Sequence, residues 1–197
     1  RRAVDEYIAE YTAYFTKNAV RFGEGAKTLL MPTPNLAWIE GLGIVGISVN
    51  ANAASAVSDL AAQNISVMTN AEACGGFRPI DTEILFDMEY WSLEQAKLDN
   101  SEAPYFQGRV VMVTGGGGAI GLSTAREFAA LGANIFLVDL APGALESALS
   151  QLGSGHGGFA LDITEKGAAD KAINACIQRF GGLDILVSNA GAAWTGE

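Results

Sequence analysis

Eight consecutive residues, Thr114-Gly115-Gly116-Gly117-Gly118-Ala119-Ile120-Gly121, have the composition of a phosphate-binding turn. Glycine admits positive φ and lets a backbone approach a ligand closely, while the free N–H groups and dipole at a helix start favour negative charge. A carboxylate follows at Asp139, 24 positions after Gly115. An acidic residue ~20 residues beyond such a loop can accept from both ribose hydroxyls of NAD and would repel the 2′-phosphate of NADP. Taken alone, the glycine run is equally readable as a plain strand-to-helix turn or a methyltransferase-like loop, and Asp139 as a solvated strand end.

These groups need elements to hold them. Residues 110–113 are wholly apolar and mostly β-branched, which suits a strand buried on both faces of a parallel sheet. After the glycine turn, Leu122, Ala125, Phe128, Ala129 and Leu131 recur at helical spacing up to Gly132. A second strand is predicted at 135–138, ending at Asp139, then a helix at 142–152, a strand at 158–161, a helix at 168–180 and a strand at 185–187. Alternating strands and helices with short connections imply a parallel sheet with right-handed crossovers.

The region ahead of the glycine loop differs. Val4, Ile8, Tyr11, Tyr14 and Phe15 predict an amphipathic helix over 4–20 whose aromatic stripe is core. Strands at 36–39 and 44–49 form a hairpin around Glu40-Gly41-Leu42-Gly43, a helix covers 53–68, and another covers 86–98. The polar stretch from Leu98 to Gly108, with Pro104 inside it, is linker chemistry. The expected organisation is a segment at 1–100, a linker at 101–108 and a nucleotide-binding segment at 109–197.

Composition narrows the function. With 49% hydrophobic and 17% charged residues and 24 glycines, the chain can bury a core of α/β type. Its net charge of −10 carries no basic stripe, so nucleic acid is excluded as an expected partner. No apolar run approaches the ~18 residues of a membrane span. Cys74 and Cys176 form neither a disulfide framework nor a metal motif, which makes the cytoplasm the default address. Opening on Arg1, without a signal peptide, is what an internal piece of a longer protein would show.

Residues 109–191 resemble the short-chain dehydrogenase/reductase family. Thr114-Gly-x-x-x-Ala-x-Gly121 is similar to its Thr-Gly-x-x-x-Gly-x-Gly cofactor loop, with Ala119 in place of the middle glycine. Leu161-Asp162-Ile163 resembles the family's Asp that bonds adenine, and Ser188-Asn189-Ala190-Gly191 its Asn-Asn-Ala-Gly strand end, with Ser188 at the usual first Asn. The resemblance implies the first half of a Rossmann-type parallel sheet, with NAD held by Thr114, Gly115, Gly117, Gly118, Ala119, Ile120, Gly121, Asp139, Leu140, Asp162, Ile163, Asn189, Ala190 and Gly191. It also implies a homo-oligomer, dimeric or tetrameric.

The family's catalytic Ser and Tyr-x-x-x-Lys follow the Asn-Ala-Gly strand, so no residue here is assigned catalysis and the 197 residues alone are expected to be inactive. Tyr90, Tyr105 and Lys97 precede the domain and are read as packing or surface residues. A last strand left unpaired would be an aggregation-prone edge.

Tyr90-Trp91-Ser92-Leu93-Glu94-Gln95-Ala96-Lys97 ahead of such a domain resembles bacterial fusions of a class II aldolase with a dehydrogenase, of the rhamnulose-1-phosphate aldolase/lactaldehyde dehydrogenase kind in rhamnose catabolism. That makes 1–100 a smaller α+β aldolase-side or bridging segment. Leu42-Gly43 stands where a zinc-binding His-Gly would be, and His156 is the only histidine, so neither metal nor aldolase activity is expected. The expected activity is an NAD-dependent oxidoreductase acting on a small hydroxy compound or aldehyde; the alternative is a non-catalytic nucleotide-binding or scaffolding fragment.

Overall fold

The computed structural model describes residues 1–95 and 102–191. Their contacts divide the chain into two units, Arg1–Ile47 with Ala56–Glu102, and Ser48–Ser55 with Ala103–Glu197.

In the first unit, α1 (Arg2–Ala19) runs into a 3-10 turn at Val20–Phe22, and β1 (Leu36–Ile39) pairs antiparallel with β2 (Gly43–Gly46). The second strand stops short of the expected residue 49. Asn50, in the stretch Ser48–Ser55 that groups with the second unit, accepts the Ala53 N–H at its Oδ1 (2.8 Å), an N-cap contact at the start of the next helix. That helix, α2 (Ala51–Ala73), is longer at both ends than the periodicity predicts.

The single helix expected over 86–98 is two, α3 (Thr82–Glu89) and α4 (Ser92–Gln95); residues 96–98 lie outside the described residues. The break falls at Tyr90, which is only 1% exposed and has non-helical backbone (φ −101°, ψ 21°). Its carbonyl accepts from Lys27 Nζ and its ring stacks on Phe86 at 4.4 Å, so burial of Tyr90 overrides helical continuity. Around it, Tyr11 and Tyr14 donate their hydroxyls to the two oxygens of Glu89 (2.6 and 3.1 Å). Burial, reinforced by that carboxylate, raises both phenols well above their ordinary range. These tyrosines are structural donors.

The second unit is α/β. Its sheet has the order β5-β4-β3-β6, all parallel, formed by β3 (Val110–Thr114), β4 (Asn134–Asp139), β5 (Gly157–Ala160) and β6 (Ile185–Val187). This is the order of the first four strands of a Rossmann sheet, 3-2-1-4. The helices are α5 (Ala119–Ala130), α6 (Pro142–Leu152) and α7 (Ala168–Phe180).

Period-two alternation decides which residue meets which helix. Val111, Val113, Ile135 and Leu137 pack against Ala125 of α5 and Leu145 and Ala148 of α6. Val110, Met112, Phe136 and Val138 face the other way, onto Ala172 and Cys176 of α7. Each fully buried aliphatic side chain contributes about 1.5–3 kcal/mol. Strands β3, β4 and β5 step one way across the sheet, whereas β6 lies beyond β3 on the far side. With right-handed crossovers, that reversal places α7 on the opposite face from α5 and α6.

Residues 103–108, expected to be linker, are tied to this unit: the Phe106 N–H donates to the Leu131 carbonyl (2.9 Å), and its ring meets Phe128 edge-on. Cys176 donates to the Gly182 carbonyl (3.6 Å), and burial pushes its thiol up to about 11, the behaviour of an inert core cysteine.

His156 precedes β5 and accepts the Ile135 N–H at Nδ1 (3.1 Å), so that nitrogen carries no proton. Burial holds its pKa below the ordinary 6.5. The unfolded chain takes up a proton near 6.5 where the folded chain does not, so the stabilisation is complete above about pH 7.5 and is lost as pH falls toward the depressed folded value. Thermal melts should show a falling midpoint between roughly pH 7.5 and 5.5. In His156→Asn, whose Oδ1 can accept the same N–H, that slope should flatten; an unchanged slope would refute the assignment.

Candidate functional site

At the carboxyl ends of the strands lies an open cleft of about 640 Å³, wholly within the second unit. Its centre is where β3 and β6 part, the switch point at which parallel sheets bind ligands. The cleft is shaped by contacts the protein makes with itself. The Thr114 hydroxyl accepts the N–H groups of Asn189 and Ala190 (3.0 and 3.1 Å) and donates to the Val187 carbonyl (3.4 Å). The Asn189 amide returns the contact, donating to the carbonyls of Thr114 (3.0 Å) and Gly115 (3.3 Å). The two strand ends are thereby clasped.

The glycines follow from this closeness. Gly115 turns the chain at φ +64°, and a Cβ there would lie 3.0 Å from the Ala190 Cα. At Gly121 a Cβ would come within 2.2 Å of the Gly115 carbonyl oxygen and 2.9 Å of the Asn189 amide. Only glycine lets the first turn of α5 rest on the loop. At Gly121 the close approach is therefore to protein as well as to any phosphate in the cleft.

The N–H groups of the loop divide sharply. Those of Gly116, Gly117 and Gly118 are engaged by the Val138 carbonyl (3.2 Å), the Asp139 carboxylate (2.8 Å) and the Gly115 carbonyl (3.1 Å). Among the described residues, those of Ala119, Ile120 and Gly121 have no acceptor, as the first three N–H groups of a helix must. All three residues line the cleft. An anion fits the first turn of α5, and the donors of Gly116, Gly117 and Gly118 serve the fold.

Asp139 ends β4. Its Oδ2 accepts from Gly117 N–H, and its Oδ1 accepts from Ala141 N–H (3.0 Å), which fixes the carboxylate on the cleft wall with lone pairs to spare. Asp162, beyond β5, accepts from both the N–H (2.9 Å) and the hydroxyl (2.7 Å) of Thr164, both on Oδ1. Those two bonds, the hydroxyl's foremost, hold its carboxyl below the usual range. Ile120 (74% exposed), Leu140 (68%) and Ile163 (44%) present apolar side chains around the same opening. Exposed apolar groups gathered at a cleft mark a ligand with an apolar face.

Of the residues read as cofactor-binding, Gly115, Gly118, Ala119, Ile120 and Gly121, then Asp139, Leu140, Asp162 and Ile163, then Asn189, Ala190 and Gly191 line the cleft. Thr114 and Gly117 stand behind it, holding Asn189 and Asp139. Val138, Leu161 and Thr164 also line it, although sequence reasoning did not single them out. The first two are apolar residues directly ahead of Asp139 and Asp162. Thr164 carries a signal that could have been read, since Asp-x-Thr is an Asx-turn pattern.

Elsewhere, Tyr90 is core and Tyr105 is exposed. Leu42, at the hairpin tip, is exposed, and no cluster of His, Cys, Asp and Glu suited to a metal occurs among the described residues. No helix among them is long and apolar enough to cross a membrane.

Two family models match the chain. Residues 1–98 match the class II aldolase second domain, and residues 109–197 match the short chain dehydrogenase. The uncharacterized oxidoreductase YuxG of Bacillus subtilis (strain 168) is 29% identical over 98% of this chain and 28% of its own length, so a relative carries both segments in the same order. D-threitol dehydrogenase of Mycolicibacterium smegmatis is 39% identical over 44% of the chain and 34% of its own length. A solved NAD+-bound xylitol dehydrogenase is 36% identical, covering 45% of this chain and 35% of that one, with a TM-score of 0.43. The chain spans about a third of the length of the curated relatives it matches. It joins a segment of the class II aldolase family to a segment of the short-chain dehydrogenase family of oxidoreductases.

Proposed function

We propose that the chain supplies the NAD-binding half of a short-chain oxidoreductase that transfers a hydride between NAD and a small hydroxy compound or aldehyde of sugar catabolism. The observation that carries this reading is the pairing, in one cleft, of three open N–H groups at the start of α5 with the fixed carboxylate of Asp139. The N–H groups of Ala119, Ile120 and Gly121 suit a diphosphate. The spare lone pairs of Asp139 suit the two adjacent hydroxyls of a ribose, and a 2′-phosphate would bring like charge against them. Leu140 and Ile163 offer apolar surface to the purine, and Asp162 an acceptor. Asn189, Ala190 and Gly191 line the end of the cleft next to β6, the side proposed for the nicotinamide.

When bound, NAD supplies the hydride acceptor. This chain binds and orients it, and proton transfer is assigned to a Tyr-x-x-x-Lys pair that the 197 residues do not contain. On this reading the 197 residues bind the cofactor without turnover, within a longer cytoplasmic, homo-oligomeric protein that carries its aldolase segment ahead of the dehydrogenase. The D-threitol dehydrogenase among the relatives supports a small polyol or hydroxy-aldehyde substrate, the class to which lactaldehyde and rhamnose-derived compounds belong.

Three outcomes test this. Calorimetry should give tighter binding of NAD than of NADP, and Asp139→Asn should narrow the ratio about tenfold; equal or tighter binding of NADP by the unaltered protein overturns the assignment. Thr114→Val leaves two N–H groups without their acceptor, which should cost about 1–3 kcal/mol of stability and weaken both dinucleotides alike; a loss confined to one would mean that Thr114 touches the cofactor itself. In the longer protein, NAD-linked absorbance should rise with lactaldehyde, D-threitol or a related polyol, and failure of the whole series would end the enzyme reading.

A further inference from the structure

Thr164 has no role in the function proposed above, yet it lines the cleft and directs both of its donors at one oxygen of Asp162. An ionised carboxylate left to itself presents two equivalent oxygens and rotates between them. Here the Thr164 N–H at 2.9 Å and hydroxyl at 2.7 Å both converge on Oδ1. Two donors on one oxygen fix the torsion of the group and make its oxygens inequivalent. Oδ2 has no hydrogen-bond partner among the described residues, so it is the acceptor left for a ligand.

We infer that Thr164 is a positioning residue that makes the base subsite select a 6-amino purine over a 6-oxo purine. The inference rests on the proposal that the cleft takes NAD. An oxygen held in one direction by two donors, and bearing negative charge, can accept from an exocyclic amine. Against the 6-oxo oxygen of hypoxanthine the same oxygen sets two acceptors face to face, with no rotation available to relieve the conflict. Released from the Thr164 hydroxyl, the carboxylate keeps only the backbone N–H of residue 164 on Oδ1 and is held less firmly, so discrimination weakens even though Asp162 is still present.

The same geometry makes a sharper statement about an amide. In Asp162→Asn the side-chain oxygen is the only atom that can accept from Thr164, so the amide must place its NH2 group where Oδ2 was. A donor then faces the base, and the preference should invert toward the 6-oxo ring. Without the Thr164 hydroxyl the amide oxygen keeps one donor, the backbone N–H, so the inversion is smaller.

The test is calorimetric titration of the full chain with NAD and with nicotinamide hypoxanthine dinucleotide. The unaltered chain should favour NAD on the order of tenfold, the scale of one hydrogen bond to a charged group. Thr164→Val should bring the two within about threefold, and Thr164→Ser, which keeps both donors, should restore the gap. Asp162→Asn should favour the hypoxanthine dinucleotide, and adding Thr164→Val, which leaves the backbone N–H in place, should shrink that preference. Equal affinities in the unaltered chain, or an unchanged ratio in Thr164→Val with circular dichroism showing it folded, overturns the inference while leaving NAD binding intact. Absence of NAD binding by the unaltered chain instead removes the function proposed above, and this inference with it.

Discussion

Two parallel strand ends that part company leave backbone donors facing one another with no ladder to receive them. The Thr114 hydroxyl resolves this at the mouth of the sheet by taking the N–H groups of Asn189 and Ala190, while Asn189 spans back to the carbonyls of Thr114 and Gly115. Unpaired amides there would each carry a desolvation cost of about 1–3 kcal/mol. The clasp brings Asn189 and the Gly115 carbonyl so near the start of α5 that residue 121 has no room for a Cβ. Seating of the helix, the turn before it and the far wall of the cleft all depend on that one junction.

Within this frame, backbone donors are divided between holding the loop and leaving it open. The middle of the glycine turn is bonded to Val138, Asp139 and Gly115, so it is rigid before any ligand arrives. The first turn of α5 keeps its donors unengaged because an α-helix cannot use them itself. Asp139 belongs to both halves of the arrangement, since it anchors Gly117 and Ala141 and still offers lone pairs to the cleft. A preorganised site of this kind loses little conformational freedom on binding.

The first unit is organised by a different constraint, the burial of aromatic rings that carry hydroxyls. Tyr11, Tyr14 and Tyr90 can enter the core only with partners for their oxygens, and Glu89 supplies acceptors for the first two. Its position on the last turn of α3 lets α1 meet α3 over Phe86. Placing Tyr90 in that cluster ends the helix at Glu89.

The order of strands and helices in the second unit, the glycine loop between β3 and α5, and the acidic residues at the ends of β4 and after β5 were legible in the sequence. Each is set by local chemistry: β-branched apolar runs, glycines at a turn, and a carboxylate at a fixed distance along the chain. The helix break at Tyr90 was not legible, because a buried phenol outcompeted helical periodicity, and neither was the early end of β2. Nor could sequence sort the glycine-loop residues into those that meet a ligand and those that hold the wall. Thr114 and Gly117 look like ligand-facing residues, and Thr164 like an ordinary turn residue, until β3, β4, β5 and β6 stand side by side. Residue types alone raise the expectation of an anion and a ribose at this place. Which donors remain free to bind them depends on contacts between residues up to 76 positions apart, such as Thr114 with Ala190, and only the assembled sheet creates those contacts.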